Sequence, residues 1–363
     1  MIREPPKRRL IIAAALAWAA LAHAANAGPV GERHLKTMSP TAALRDAEHR
    51  PDLRVTVWYP AAAGSKEERI DIGPPDKPLF LVGAVASDAS FADARRRPVI
   101  LFSHGFGGTA RMMGWFGTAL AREGYVVVAV DHPGNNALDT KTVAGAILSW
   151  DRPGDLAAAL EAVKSDPRIG PHLDLRRLGA AGFATGGFNA LVSVGARVDM
   201  KRFLAFCRER PTDGLCAPQQ EFAVTLDQAQ RALASPELAG EVAHAGDDHS
   251  IRGVRAAFAI APASIQALPP ESLARIKVPV AIMLGDVDQL MPPATNGLVA
   301  AKAIPRAELK GLPGVGHYDF ISTCTPAGMA NVPICTAKVP QDQTHQAAID
   351  MALAFFGRTL GKP

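Results

Sequence analysis

The sequence lacks several features that would assign it to a specialised class of protein. Its 39 Lys and Arg residues nearly balance its 35 Asp and Glu residues. It contains no internal repeat and no low-complexity segment. The small surplus of positive charge gives no reason to expect nucleic acid or an acidic membrane as a partner. At 363 residues and 48% hydrophobic, the chain can bury a large core in one domain or two.

Cysteine is scarce, and its spacing does not match a zinc site. The chain has four cysteines and neither a Cys-x2-Cys nor a His-x3-His pattern. They form two close pairs, which predicts the disulfides Cys207–Cys216 and Cys324–Cys335, although the sequence alone permits three connectivities. We expect no metal and no organic cofactor.

The sequence also lacks an apolar run long enough to anchor it in a bilayer. The run from Leu10 to Leu21 is too short for a span, and it follows three basic residues and precedes small residues at Ala24 and Ala27. This pattern predicts a secretory signal peptide over residues 1–27, cleaved after Ala24 or Ala27. No cysteine directly follows either position, so we expect no lipid anchor. The protein is therefore predicted to be secreted or periplasmic, with a net charge near +1 after cleavage.

From residue 97 onward, short apolar runs alternate with Gly-rich turns and helical stretches. We expect strands at 98–103, 124–131, 178–183, 254–261, 278–284 and 307–312, and helices at 109–123, 154–164, 186–194 and 345–357. Continuous β-branched runs between helices are typical of a parallel sheet covered on both faces. Residues 28–363 therefore predict an α/β fold with a doubly wound, mostly parallel sheet. Two segments depart from the alternation: an antiparallel edge strand at 54–59, and a charged helical insertion at about 198–250, predicted to cap the carboxyl ends of the strands.

One oxygen atom is missing from a recognisable motif at Gly182-Phe183-Ala184-Thr185-Gly186. With serine at residue 184 this segment would be G-x-S-x-G, the nucleophile elbow of α/β-hydrolases, placed between a predicted strand and a predicted helix. The two glycines allow strand and helix to approach closely, and the tight turn exposes residue 184. It also points the backbone N–H of Thr185 into the site. A purely structural glycine turn is the alternative.

Three further motifs follow predicted strands in the order that an α/β-hydrolase requires. The loop His-Gly-Phe-Gly-Gly after residue 103 predicts an oxyanion hole built from the backbone N–H groups of Phe106 and Thr185. Two aspartates follow the strand at 278–284, and we assign Asp288 to orient the catalytic base and Asp286 to cap the loop. A Gly-x-Gly-His turn then presents His317 as general base and general acid.

The other histidines are assigned lesser roles. His132, in Asp-His-Pro-Gly, is predicted to line the mouth of the site and contact substrate. His104 is expected to brace the oxyanion loop, and His345 to be solvated at the start of the last helix. The acidic loop at 247–249 is more readily explained as a solvated loop than as a cation site.

The segments FSHGFGG, VVAVDHPGN, GFATGG, GDVDQLMPP and GVGHYDFI together resemble the secreted bacterial "predicted dienelactone hydrolase" group of α/β-hydrolases. That group is similar to the platelet-activating-factor acetylhydrolases and, more distantly, to cutinase-like polyester hydrolases. The resemblance covers residues 50–360. It implies triad roles for Asp288 and His317 and oxyanion roles for Phe106 and Thr185. The substrate it implies is a small-molecule or polymeric ester, with no particular ester indicated.

The sequence departs from this group at Ala184, where the resemblance implies the nucleophilic serine. Three interpretations are open: a serine-to-alanine variant of an active enzyme, a natural pseudoenzyme that binds esters, or a nucleophile moved to Thr185. The third is disfavoured because Thr185 directs its amide at the site. The complete set of other motifs favours the first. We therefore expect the parent protein to be an exported serine hydrolase of carboxylic esters, with amide hydrolysis as a rival activity, and this chain to be nearly inactive.

Overall fold

The computed structural model describes residues 28–363, and the predicted signal peptide at 1–27 lies outside them. The strands are β1 (Val30–Met38), β2 (Asp52–Pro60), β3 (Glu68–Arg69), β4 (Phe80–Leu81), β5 (Ala84–Ser87), β6 (Arg97–Ser103), β7 (Val126–Asp131), β8 (Leu173–Phe183), β9 (Val254–Ile260), β10 (Val280–Gly285), β11 (Glu308–Leu312) and β12 (Thr323–Cys324). The helices are α1 (Ala42–Arg45), α2 (Gly114–Arg122), α3 (Val143–Ile147), α4 (Arg152–Ser165), α5 (Thr185–Val192), α6 (Met200–Glu209), α7 (Leu226–Leu233), α8 (Ala239–His244), α9 (Pro270–Leu273), α10 (Gly297–Ala303), α11 (Pro326–Asn331) and α12 (Gln341–Thr359).

Ten of these strands form one mixed sheet in the order β11-β10-β9-β8-β6-β7-β2-β1-β5-β3. The six strands from β11 to β7 are parallel to their neighbours, whereas β7–β2, β2–β1 and β5–β3 pair antiparallel. The prediction of a mostly parallel α/β sheet is therefore confirmed. All six residues of β7 are buried, as expected for a strand covered on both faces.

The strand at 54–59 is antiparallel as predicted, but it does not form an edge. β1 pairs with β2 along nine residues, from Val30 opposite Pro60 to Met38 opposite Asp52. β1 was not predicted, because its second half alternates half-buried and exposed residues that are mostly polar, two of them charged. Its stability comes from non-local pairing with β2, which a local pattern does not show.

Helices cover both faces of the sheet, as the doubly wound prediction requires. On one face, the aromatic side chains of α2 and α12 pack against inward residues of β6, β7 and β9. On the other face, α4 packs on β2, β6 and β7. The helix α5, which begins at the turn after β8, packs there against β9 and β10. The carboxyl ends of the parallel strands are thereby held in a fixed arrangement, which positions the loops that follow them.

The segment at 198–250 contains α6, α7 and α8 and is tied to itself by a disulfide. Cys207 on α6 and Cys216 in the next turn lie at disulfide distance, with sulfurs 2.00 Å apart. Cys324 and Cys335 form the other pair, at 2.11 Å. Disulfides of this kind are typical of proteins from oxidising compartments. Within residues 28–363, the structure has no helix that is both apolar and long enough to cross a membrane.

Candidate active site

Residue 184 lies on a sharp turn between β8 and α5. Ala184 has φ 52° and ψ −115°, a strained conformation for a residue with a side chain. The turn is possible only because its flanks are glycines. A Cβ on Gly182 would collide with the backbone of Gly186, and a Cβ on Gly186 would collide with the carbonyl of Ser103. This is the geometry that the sequence predicted for a nucleophile elbow.

The loop after β6 is fixed from beneath by polar side chains. The Nδ1 atom of His104 is 2.7 Å from its neighbour's carbonyl oxygen, and its Nε2 atom accepts the backbone N–H of His132 at 3.1 Å. Arg152 donates to the carbonyl of His104 at 3.0 Å, and Asn135 accepts the N–H of Gly107 at 2.9 Å. Burial lowers the pKa of His104 well below its ordinary value, so the ring is neutral and suited to this bracing role.

The two amides assigned to the oxyanion hole are available to a ligand. In the described chain, neither the N–H of Phe106 nor that of Thr185 donates a hydrogen bond to another protein group. Thr185 is the first residue of α5, where a helix leaves its N–H groups without intrahelical partners and carries a partial positive charge. Both residues line one cavity together with Ala184. An oxygen atom that develops negative charge at this point can therefore be stabilised by two backbone donors.

Asp288 and His317 meet although 29 positions separate them in sequence. The Nδ1 atom of His317 lies 2.7 Å from Oδ2 of Asp288. The other oxygen of Asp288 accepts the backbone N–H groups of Leu290 and Met291, at 3.0 and 2.8 Å, which fixes the carboxylate. Asp286 instead accepts the N–H of Gly314 at 2.7 Å, the loop-capping role predicted from the sequence.

Burial and two nearby carboxylates act on His317 in opposite directions. Burial has the largest single effect and lowers the pKa of His317. The carboxylates of Asp288 and Glu221 together outweigh burial, so the net pKa shift is upward. A pKa raised in this way is characteristic of an imidazole that accepts a proton during catalysis.

One cavity of about 90 Å³ brings these groups together, with Phe106, Ala184, Thr185 and His317 in its wall. Ala184 is only 3% exposed and borders this cavity. A second cavity of about 130 Å³ adjoins the first and shares Phe106 and Thr185 with it. Its wall is mainly apolar, and the insertion supplies much of it: Met200, Phe203, Cys207, Leu215, Cys216, Phe222, Val224, Leu226 and Ala229.

His132 does not line the site mouth, contrary to the sequence-based assignment. Its side chain is fully buried. The Nδ1 atom lies 2.8 Å from Asp155 and the Nε2 atom 2.8 Å from the hydroxyl oxygen of Ser103. Asp155 in turn accepts two hydrogen bonds from Arg45, at 2.9 and 2.6 Å. The prediction failed because it placed His132 by its position after a strand, whereas Asp155 and Arg45 draw the ring into the interior.

His345 is also buried rather than solvated. Its ring stacks on Trp115 with centroids 3.9 Å apart, and its Nε2 atom lies 2.8 Å from the carbonyl oxygen of Ile321. The acidic loop at 247–249 is partly ion-paired: Asp248 lies 3.0 Å from Arg197. Within residues 28–363, no group of three or more His, Cys, Asp or Glu side chains is arranged to hold a metal ion.

Sequence reasoning missed several groups around the cavity. Glu221 and Tyr318 line it, and Asn135 and Arg152 hold the oxyanion loop. Tyr318 follows His317 directly and was accessible from that motif. Nothing in the local sequence indicates Glu221, because it lies in an irregular segment between α6 and α7.

Comparisons with known proteins agree with this architecture. Residues 81–149 match the family model of platelet-activating factor acetylhydrolase, isoform II. The ferulic acid esterase from Streptomyces cinnamoneus has a similar structure, with a TM-score of 0.58 and 20% sequence identity over 91% of this chain and 90% of the esterase. Among proteins with curated functions, none matches this chain in sequence. This chain and that esterase therefore share one α/β fold.

Proposed function

We propose that this protein has the active site of a serine hydrolase of carboxylic esters, with Ala184 in the place of the nucleophilic serine. One observation carries the proposal. Residue 184, the Asp288–His317 pair and two free backbone amides all converge on a single cavity. The partial match to an acetylhydrolase family and the structural similarity to an esterase support ester hydrolysis as the reaction.

With serine at 184, the groups present perform acyl transfer in two steps. The Nε2 atom of His317 accepts the serine proton as the hydroxyl oxygen attacks the ester carbonyl. Asp288 holds the opposite ring nitrogen and stabilises the imidazolium, while the N–H groups of Phe106 and Thr185 stabilise the oxyanion. His317 then gives the proton to the leaving alcohol. It next activates a water molecule, which attacks the acyl-enzyme, releases the acid and regenerates serine.

The backbone at Ala184 supports the interpretation that serine has been replaced. A positive φ at a residue with a side chain costs on the order of 1–3 kcal/mol, and such strain is repaid where it aims a reacting group. Alanine has no group to aim. This chain lacks a nucleophile but keeps the groups that would serve one. The strained turn would position it, the Asp288–His317 pair would accept its proton, and the two backbone amides would stabilise the oxyanion. We therefore expect this chain to bind esters and to hydrolyse them only at a residual rate.

The second cavity supports an apolar group in the substrate. Its walls, supplied by α6, α7 and the segment between them, are lined mostly by carbon atoms and border the oxyanion residues. Burial of apolar surface contributes about 25 cal/mol per Å², so an alkyl or aryl group seated there adds useful affinity. We accordingly expect butyrate esters to be better substrates than acetate esters.

The decisive experiment compares the chain, its Ala184→Ser variant and the Ala184→Ser/His317→Ala double variant with p-nitrophenyl acetate and butyrate. We expect serine at residue 184 to raise kcat by several orders of magnitude and the loss of His317 to abolish the gain. The p-nitroanilide of butyric acid, tested in parallel, separates esterase from amidase activity. A folded Ala184→Ser protein that hydrolyses none of these compounds would favour a natural ester-binding pseudoenzyme.

We also propose that residues 1–27 direct export and are then removed. The two cysteine pairs at disulfide distance support a destination in an oxidising compartment. Expression of the full chain in a Gram-negative host followed by intact-mass measurement of the periplasmic protein tests this directly. The expected masses correspond to cleavage after Ala24 or Ala27, and an uncleaved cytoplasmic product would contradict the proposal.

A further inference from the structure

Glu221 reaches into the catalytic cavity from the irregular segment that follows the first disulfide. Its Oε1 atom accepts the hydroxyl of Tyr318 at 3.0 Å, next to the catalytic His317. Its Cβ atom packs against the oxyanion loop so closely that a side chain added at Gly107 would meet it at 2.8 Å. Glu221 also lines the same cavity as Ala184. The carboxylate therefore lies beside the reacting centre although it belongs to the insertion.

The second oxygen of this carboxylate has no partner. Oε2 of Glu221 is buried and accepts no hydrogen bond from any group in residues 28–363. Lys141 also borders Gly107, but it donates no hydrogen bond to this oxygen. An enclosed carboxylate oxygen without a donor is costly, so it calls for a partner that the protein itself does not supply, such as a water molecule or a group on a bound ligand.

We propose that Glu221 is a specificity-determining residue that binds a hydrogen-bond donor, a hydroxyl or an ammonium group, on the ester substrate. This inference rests on the proposed function and deepens it. The donor belongs within a few bonds of the ester carbonyl, because Glu221 lies against the oxyanion loop that receives the carbonyl oxygen. The substrate class is thus hydroxy- or amino-substituted esters with an apolar group for the neighbouring cavity.

The preference should arise because some esters supply a hydrogen-bond donor to Glu221 and others leave its carboxylate unpaired. A donor on the substrate forms a charge-assisted hydrogen bond with Oε2, which is roughly twice as strong as a neutral one. An ester without the donor excludes water from the cavity and leaves the carboxylate oxygen without a hydrogen-bond partner. Sites built in this way reject the analogue that lacks the donor. We expect a preference of about tenfold or more.

The binding experiment uses the chain as it is, because without a serine at residue 184 we expect it to hydrolyse esters too slowly to consume them during a titration. Benzyl butyrate, benzyl 3-hydroxybutyrate and benzyl 4-aminobutyrate are titrated by isothermal calorimetry into the chain and its Glu221→Gln and Glu221→Leu variants. We expect at least one donor-bearing ester to bind about tenfold more tightly than benzyl butyrate. Glu221→Leu should remove that difference. Glu209→Gln, a change at an exposed carboxylate of α6 outside the cavities, should preserve it.

The Glu221→Gln variant identifies the donor. The glutamine carbonyl still accepts a hydrogen bond, so a preference for the hydroxyl ester should survive in part. A preference for the ammonium ester depends on the negative charge and should disappear. Equal affinities for the three esters in the unchanged chain, or a donor preference that persists in Glu221→Leu, would overturn the proposal and leave Glu221 with the structural role of holding Tyr318.

Kinetics in the Ala184→Ser background separate this inference from the proposed function. The measured quantity is the ratio of kcat/KM for the preferred donor-bearing ester to that for benzyl butyrate, which a purely structural role would not change. Hydrolysis of benzyl butyrate without any donor preference overturns the inference and leaves the function intact. A donor preference in binding without hydrolysis of any ester supports the inference and contradicts the function. Absence of both overturns both.

Discussion

Two histidine–aspartate pairs lie in this fold at nearly the same distance. In the open pair, His317 is 2.7 Å from Asp288 and faces the catalytic cavity. In the sealed pair, His132 is 2.8 Å from Asp155, and its other nitrogen is 2.8 Å from the hydroxyl of Ser103. By hydrogen-bond geometry alone, the sealed pair is the more complete Ser-His-Asp arrangement, since the open pair faces an alanine.

Access and electrostatics separate the two pairs. Ser103, His132 and Asp155 are all fully buried, so no ester carbonyl can reach the serine oxygen. Burial, together with the nearby positive charge of Arg152, lowers the pKa of His132 to about 3. Burial also acts to lower the pKa of His317, but the carboxylates of Asp288 and Glu221 together outweigh it and shift this pKa upward. A catalytic imidazole must gain and lose a proton near neutral pH, and only His317 is suited to that.

The sealed pair supports the open one. Asp155 on α4 accepts a hydrogen bond from Arg45 on α1 and is hydrogen-bonded to His132, which follows β7. His132 is in turn hydrogen-bonded to Ser103, the last residue of β6. The oxyanion loop begins at the next residue. The buried network therefore fixes the strand ends from which the loop proposed to form the oxyanion hole departs. The comparison suggests changes that should affect catalysis at one pair and folding at the other.

The largest effect is expected from His317. In the Ala184→Ser background, His317→Ala should lower kcat for p-nitrophenyl butyrate by roughly 10⁴- to 10⁶-fold, because the general base is lost. The matched change in the sealed network, Ser103→Ala, should lower kcat by less than about tenfold, since Ser103 does not reach substrate. A loss of activity in Ser103→Ala as large as that in His317→Ala would reverse the assignment of the two pairs.

Replacing Asp288 should impair catalysis, whereas replacing Asp155 should impair stability. In the same background, Asp288→Asn should reduce kcat by about 10⁴-fold through loss of the charge that orients His317. Asp155→Asn should instead reduce the free energy of unfolding by about 3–5 kcal/mol, because it leaves the buried charge of Arg45 uncompensated. Urea denaturation and steady-state kinetics on both variants measure this contrast. Similar profiles for the two variants would mean that the pairs are not functionally distinct.

The open pair could be predicted from the sequence, but the sealed pair could not. Asp288 and His317 follow strands in motifs with local turn chemistry, and the ends of parallel strands converge at one edge of the sheet. Both residues were named for that reason. In the sealed pair, His132 is joined to Asp155 on α4, and Asp155 is in turn held by Arg45 on α1. These three residues are far apart in sequence. No local pattern reports whether a side chain near a strand end will turn outward or inward, so His132 was misplaced.

The strands also differ in how clearly their sequences indicate them. The apolar runs of β6, β7 and β10 stand out because burial on both faces leaves no polar alternation. β11 is instead an edge strand with four of its five residues exposed. β1 was missed because its partner, β2, supplies the context that makes a polar, charged segment a strand. Glu221 was missed because an irregular connection has no period from which its direction can be inferred. These features depend on contacts between residues distant in sequence.

The buried, neutral state of His132 should make the free energy of unfolding depend on pH. The ordinary pKa of histidine is about 6.5, and that of His132 in the fold is about 3, so the unfolded chain binds more protons between these values. The free energy of unfolding should therefore be full above pH 6.5 and fall by a few kcal/mol as the pH drops toward 3. His132→Gln should flatten part of this decline, measured by urea denaturation at pH 7 and pH 4.5. An unchanged slope would contradict the buried, neutral state of His132.

The smallest expected effect concerns the open histidine. Because the pKa of His317 is raised, kcat/KM of the Ala184→Ser variant should increase with pH through an inflection above 6.5. Glu221→Gln removes a nearby negative charge and should move this inflection to lower pH by less than about one unit. A pH-rate profile with an ester of invariant charge tests both statements. An inflection below 6.5 would show that Asp288 does not dominate the environment of His317.

We expect this scaffold to activate a serine at residue 184 and not the serine already present at residue 103. A fluorophosphonate, which reacts covalently with activated serines, distinguishes the two when the Ala184→Ser variant and the unchanged chain are treated with it and the adduct is located by peptide mass spectrometry. We predict a stoichiometric adduct on residue 184 of the variant and none on the unchanged chain. An adduct on Ser103, or no adduct on the folded variant, would contradict it.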